Sequence, residues 1–220
     1  MDIEDYFSRA RALAGLRVAG LLGDVVRGHK GGVGAAIERA LGIAASSAPG
    51  PDVPALGLEV KTLPVENGRV LQSTWVCSAS PDALARETWV RSRARQKLAC
   101  VLWVPVEGGS VPPTERRVGT AFLWQPNDVE EGVLRDDWED LADIVANGHG
   151  FAVTARRGRA LQLRPKAADA SVRRQSTTVD GEEYEAAPQG FYLRRSFTQA
   201  LVDARFGRPP GYGAPVPIRS

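Results

Sequence analysis

Two carboxylates and one ammonium stand close together in the segment Pro51-Asp52-Val53-Pro54-Ala55-Leu56-Gly57-Leu58-Glu59-Val60-Lys61. Residues 56–63 read as a strand with a two-residue period. That period puts Leu58 and Val60 on a core-facing side and Glu59 with Lys61 on the other. Asp52 lies just upstream, in a turn rich in Pro and Gly that can curl back on the strand. Two carboxylates and an ammonium converging on one point suit a divalent cation with a water beside it. Taken alone, the spacing is more often that of an ordinary surface strand with a Glu/Lys pair.

Basic residues single out further candidates. The chain holds four lysines (Lys30, Lys61, Lys97 and Lys166) against 24 arginines. Exposed positive positions have therefore drifted to Arg, and a position that keeps Lys is one where a compact, titratable point charge is needed rather than a planar fork. Lys30 lies in the basic, Gly-rich turn Arg27-Gly28-His29-Lys30-Gly31-Gly32. A helix is expected just after it, over residues 33–41 with Gly42 closing it. Such a turn is a phosphate cradle at a helix N-terminus or, equally, a plain interhelical loop. Glu38 falls in that helix, either on a solvated face or looking into the Asp52/Glu59 cluster.

The elements that must position these residues follow from periodicity. Residues 3–22 carry an apolar repeat of helical spacing, divided by glycines into a longer and a shorter helix. Glu66-Asn67-Gly68-Arg69 is a hairpin signature. Residues 70–78 are then the returning strand, with Trp75 in it as packing. Residues 83–96 read as an Arg-rich helix, 98–106 as a buried strand with Lys97 at its start, and 116–124 as a further strand. Residues 129–146 are an acidic helix with Leu134, Trp138, Leu141 and Val145 on its apolar face and a solvated acidic face. Residues 151–154 and 160–163 form a basic hairpin followed by Arg164-Pro165-Lys166, a local site for a polyanion. Residues 172–187 read as a polar loop, 190–195 as a short strand, 197–206 as a helix, and 207–220 as a poorly ordered Pro/Gly-rich tail.

Composition bounds the rest. A chain of 220 residues with 43% hydrophobic content supports one large α/β domain or two small lobes. The net charge of +2 announces no polyanion partner, so a nucleic-acid surface must come from local clusters. Cys77 and Cys100 each sit in an apolar run and read as buried free thiols. Two cysteines with the distant His29 and His149 do not compose a structural zinc site. No apolar run reaches the ~20 residues of a membrane span, and the acidic start Met1-Asp2-Ile3-Glu4-Asp5 is unlike a signal peptide. These features read as a cytoplasmic protein.

Asp52, then six residues, then Glu59-Val60-Lys61 fits the PD-(D/E)xK pattern of restriction-endonuclease-like nucleases. A closer resemblance runs through Lys30-Gly31-Gly32-Val33-Gly34 with Glu38, Ala55-Leu56-Gly57-Leu58-Glu59-Val60-Lys61-Thr62-Leu63-Pro64-Val65, Val101-Leu102-Trp103-Val104-Pro105-Val106-Glu107-Gly108, Arg116-Arg117-Val118-Gly119, Leu161-Gln162-Leu163-Arg164-Pro165-Lys166-Ala167-Ala168 and Gly190-Phe191-Tyr192-Leu193. In that order these segments are similar to the MutH family of DNA mismatch-repair endonucleases, over residues 30–201. The N-terminal helices match more loosely, and the Pro-rich tail after Phe206 is unlike the family.

The resemblance implies an α/β, restriction-endonuclease-like fold: a mixed β-sheet flanked by helices, in two lobes forming a DNA-binding clamp, over residues 1–206. It implies an Mg²⁺-dependent endonuclease of methyl-directed mismatch repair. Such an enzyme nicks the unmethylated strand at hemimethylated GATC sites, leaves 5′-phosphate products, and is activated by MutL downstream of MutS. A monomer that associates with the nucleoid when acting is expected. Carried over residue by residue, Asp52, Glu59, Lys61, Glu38 and Lys97 are catalytic, and Asp52, Glu59 and the Val60 carbonyl hold Mg²⁺. Lys30, Gly31, Trp75, Arg164, Pro165, Lys166 and Tyr192 contact DNA, with Trp75 standing where the family has phenylalanine and Tyr192 detecting the adenine methyl group. All four lysines fall on matched positions. The alternatives are a GATC restriction endonuclease cutting both strands and a catalytically silent DNA-binding module. A single catalytic set in a short chain speaks against the first, and the intact Asp52/Glu59/Lys61 set against the second.

Overall fold

The computed structural model describes residues 1–22, 32–46, 48–148, 157–166, 174–177, 181, 183–186 and 188–207. Its elements are mixed α/β, and the chain divides into two compact units. Among the described residues, the first draws on 1–72, 97–125 and 202–207, and the second on 73–96 and 126–201.

The first unit is built on a four-stranded mixed sheet. Strands β1 (Glu59–Glu66) and β4 (Val101–Glu107) run parallel in register, Glu59 beside Val101 and Lys61 beside Trp103. The short β2 (Arg69–Val70) pairs antiparallel with the end of β1, and β5 (Phe122–Trp124) with the start of β4. Asn67 and Gly68 both take positive φ at the β1–β2 turn, which is what the Asn-Gly signature requires. Leu58, Val60, Leu102, Val104 and Val106 share a core with Tyr6, Ala10 and Leu13 of the first helix region and Ile37 and Leu41 of the third. The helices concerned are α1 (Ile3–Ala12), α2 (Val18–Leu22) and α3 (Gly32–Ala40). This agrees with the predicted division of the N-terminal repeat. An Asp2/Asp5 capping box opens α1.

The second unit holds a three-stranded antiparallel sheet in the order β3 (Thr74–Ala79), β9 (Gln189–Leu193), β6 (Leu161–Pro165). Phe191 on its inner face stacks on Trp138 of α6 (Asp128–Ala146), ring centroids 6.5 Å apart. The predicted apolar face of α6 is buried as expected, and an Asn127/Glu130 capping box starts the helix.

Several expectations are corrected. Only Arg69–Val70 returns along β1; residues 74–79 leave for the second unit's sheet because Trp75 and Cys77 find their ladder partners on β9. The helix expected over residues 83–96 is broken into α4 (Pro81–Leu84), a 3₁₀ turn Trp89–Arg91 and α5 (Arg93–Leu98). Trp89 caused this break: it is buried against Trp138 and donates its indole N–H to Glu131 at 2.9 Å, a position a continuous helix would not give it. The strand expected over residues 116–124 shrinks to β5, with Val118 making only an isolated bridge to Val106. The polar loop expected at residues 172–187 contains a hairpin, β7 (Arg174–Thr177) with β8 (Glu183–Ala186). The strand expected at 151–154 and nearly all of the tail lie outside the described residues.

The acidic face of α6 is not wholly solvated. Asp137 is buried and accepts the backbone N–H groups of Arg159, Ala160 and Leu161, at 2.8, 2.5 and 2.8 Å to Oδ2. Gly158 makes this convergence possible: it has φ +85°, and a Cβ there would collide with the Leu161 carbonyl. Asp137 thereby ties the start of β6 to α6. We expect Asp137→Ala to cost about 3 kcal/mol or more, since burying an unpaired backbone donor costs about 1–3 kcal/mol. Asp137→Asn, which keeps one acceptor oxygen, should cost less. Urea unfolding of the two variants measures both.

Candidate functional site

The turn before β1 folds as its Pro and Gly content requires. Val53 pairs with Leu58 around the 3₁₀ turn Pro54–Leu56, closed by Gly57 at φ +61°. This returns Asp52 to the strand, where its Oδ2 accepts the Val60 N–H at 2.8 Å. Glu59 and Lys61 share one face of β1, as their period demands, yet that face is not solvated: they are 4% and 8% exposed. Lys61 Nζ donates to Glu59 Oε1 at 2.9 Å. Lys97 comes from α5, 38 residues away, and its Nζ reaches both Glu59 oxygens, at 2.9 Å to Oε1 and 2.8 Å to Oε2.

Glu38 of α3 is half-buried, and its carboxyl senses the charges of this cluster. Burial raises its carboxyl pKa above the ordinary value, and the Asp52 and Glu59 charges raise it further against the pull of Lys61 and Lys97. Asp52 is likewise raised, first by burial and then by Glu59, with the Val60 N–H and the two lysines opposing. Three carboxylates therefore face two ammoniums, one negative charge in excess when all are ionised. Two of these carboxylates, Asp52 and Glu59, are hard oxygen donors of the kind a divalent cation takes, and such a cation would relieve the mutual repulsion. Among the described residues no three His, Cys, Asp or Glu side chains form a ready ligand set. Asp52, Glu59 and the Val60 carbonyl, completed by waters, are the donors available, and Mg²⁺ commonly keeps several waters. Lys30 and Gly31 lie outside the described residues.

The other expected contacts belong to the second unit. In the β3–β9–β6 ladder, Trp75 stands opposite Tyr192 and Gly190 opposite Arg164, so all four lie on one sheet face. Trp75 and Tyr192 meet edge to face at 5.1 Å. The Arg164 guanidinium lies 5.7 Å from the Tyr192 ring centre, and Lys166 Nζ lies 5.3 Å from that of Trp75. Both cations are exposed. Pro165 alternates with Arg164 along β6 and so falls on the opposite face; this edge strand tolerates it because no ladder partner needs its missing N–H.

Three supporting residues had no assigned role: Gly190 lies in a family motif, and nothing in the sequence marks Ser73 or Ser78. Ser73 and Ser78 accept from Arg164 and Lys166, at 2.7 and 3.2 Å. Gly190 leaves room for the Trp75 indole, since a Cβ there would strike the ring. A face of rigid aromatics carrying exposed cations can stack on and pair with a polyanion such as nucleic acid.

Residues 41–137 match the family described as the DNA mismatch repair enzyme MutH. The chain is 42% identical to the DNA mismatch repair protein MutH of Serratia proteamaculans over 216 residues, covering 92% of this chain and 93% of that protein. It is 42% identical to the proteins of the same name from Pectobacterium atrosepticum, with 90% of each chain covered, and from Escherichia coli K12, with 92% and 93% covered.

The raised carboxyl groups make a pH-dependent stability prediction. A carboxyl pKa that rises on folding favours the native state below its unfolded value, and that advantage is lost as pH rises through the folded value. At neutral pH, ionised Asp52 therefore costs the metal-free protein stability. We expect Asp52→Asn to raise the Tm of the metal-free protein at pH 7, with the gain vanishing as pH falls below the ordinary value of 3.8. Added Mg²⁺ should raise the wild-type Tm more than that of the variant. Scanning calorimetry across pH checks both.

Proposed function

The chain belongs to the MutH family of DNA mismatch-repair enzymes, and from that premise we propose that it is an Mg²⁺-dependent endonuclease. It nicks the unmethylated strand at hemimethylated GATC sites. The observation that carries this reading is the buried cluster in which Glu59 meets both Lys61 and Lys97, with Asp52 folded back onto Val60.

Bound by Asp52, Glu59 and the Val60 carbonyl, Mg²⁺ would polarise the scissile phosphate and lower the pKa of a bound water. Lys61, held by Glu59 and shielded from solvent, supplies a fixed positive charge for the negative charge that builds in an in-line displacement. Lys97 adds a second charge from a more exposed position. Asp52 keeps its turn closed through the Val60 N–H, which fixes the Val60 carbonyl relative to both carboxylates. Glu38 adds a third carboxylate to the field. The products are a 5′-phosphate and a 3′-hydroxyl.

Recognition is assigned to the Trp75/Tyr192/Arg164/Lys166 face, together with Lys30 and Gly31. Arg164 and Lys166 suit acceptor edges in the major groove. An N6-methyl group on adenine removes one donor hydrogen and adds bulk. Tyr192, pinned between Trp75 and Arg164, suits steric detection of that bulk. The protein acts as a monomer in the cytoplasm, and MutL is its activator downstream of MutS.

A strand-resolved cleavage assay with Mg²⁺ tests this on unmethylated, hemimethylated and fully methylated GATC duplexes, with and without MutL. Nicking confined to unmethylated strands and accelerated by MutL is expected. MutL-independent cutting of both strands would point instead to a restriction enzyme. Lys61→Ala should lower the cleavage rate by about 10²-fold or more, the scale of one lost charge-stabilising donor. Its DNA affinity should stay near wild type in a gel-shift titration.

A further inference from the structure

We propose that Lys97 is a stand-in cation: its ammonium occupies the Glu59 carboxylate until a divalent ion arrives, and by competing with that ion it sets the affinity of the site. The inference rests on the metal-dependent reading above and concerns a property of the resting protein that this reading leaves open.

The two lysines hold Glu59 differently. Lys61 reaches Oε1 alone, whereas Lys97 reaches both oxygens. Oε2 thus has Lys97 as its partner. Burying a carboxylate is costly, and Lys97 offsets part of that cost at Glu59 before any ion binds. An ammonium and a hard cation draw on the same lone pairs, and their like charges repel at that separation. Both cannot stay on Oε2.

Lys97 is the lysine that can yield. Its side chain is 15% exposed against 7% for Lys61. It stands near the end of the six-residue α5, on a flexible four-carbon stem with solvent to move into. Lys61 is fixed within β1, between β2 and β4 in the sheet order. Departure of Lys97 from Oε2 leaves Glu59 still oriented by Lys61. It also turns a net charge of one negative into two for the arriving ion.

Replacing Lys97 with methionine, of similar length and uncharged, removes the competitor while keeping Lys61 on Oε1. The probe is Mn²⁺ alone, titrated without DNA into the wild type, Lys97→Met and Lys61→Met, with free Mn²⁺ followed by its paramagnetic resonance signal. Lys97→Met should bind Mn²⁺ at least about tenfold more tightly than wild type, the weight of one charge-assisted hydrogen bond, and Lys61→Met should change by less than about threefold. Lys97→Gln, which keeps a neutral donor, should fall between Lys97→Met and wild type. A larger Mn²⁺-dependent rise in Tm for Lys97→Met than for wild type gives a second readout and checks that the variant folds. Unchanged or weaker binding by Lys97→Met overturns the proposal, even where the wild type cleaves DNA with Mg²⁺. Equal tightening in Lys61→Met overturns it too, because net charge alone would then explain the effect. Absence of binding in all variants overturns it as well, and the wild-type cleavage assay then tells whether the metal-dependent reading falls with it.

Discussion

A buried carboxylate cannot stand alone, and Glu59 is buried. Desolvating an ion costs several kcal/mol, which only close, well-oriented opposite charges offset. Two ammoniums meet that need within 3 Å. The consequence reaches beyond local geometry. The parallel pairing of β1 with β4 places the connection from Cys100 beside Glu59, whose N–H bonds to the Cys100 carbonyl at 2.9 Å. That register brings the end of α5, and so Lys97, to the carboxylate. A slip of one residue would turn Glu59 and Lys61 into the apolar core and Leu58 and Val60 out of it.

The cluster is also a store of unfavourable charge. Glu38 and Asp52 are both harder to ionise for being buried near Glu59. Perturbed carboxyl groups of this kind gather at functional sites, because a group poised to bind a cation is uncomfortable without one. The core beneath the sheet (Leu58, Val60, Leu102 and Val104 against α1 and α3) supplies the stability that this arrangement spends.

The second unit solves a different problem, that of presenting large side chains rigidly. Trp75, Tyr192, Arg164 and Lys166 brace one another through an edge-to-face ring pair and two cation–ring contacts. Serines on β3 or just before it anchor the two cations, and Gly190 gives the indole its seat. Beneath, Phe191 packs on α6, and Asp137 secures the backbone at the start of β6. Rings and cations held this way lose little freedom when a partner binds.

Local order decided what the chain alone could reveal. The alternation of Leu58, Glu59, Val60 and Lys61, the Asn67-Gly68 hairpin, the apolar stripe of α6 and the scarcity of lysine all act over a few residues or none, and each was legible. So was the family, because its motifs are short strings in a set order. Pairing between distant segments was not legible. No local pattern around Lys97 says that it would meet Glu59, and only the family resemblance grouped the two; nothing near Trp75 says that its strand would leave β1 for β9. The break at Trp89 and the burial of Asp137 on an otherwise acidic face are likewise set by partners elsewhere in the chain. Residue order alone specifies which residue types could do the chemistry and which face of each element they occupy, since side-chain period is a local property of the backbone. That the Glu59–Lys61 face is buried rather than solvated, and which charges share it, follows from long-range packing. Desolvation and ion pairing depend on what folds over a residue, not on what lies beside it in the chain.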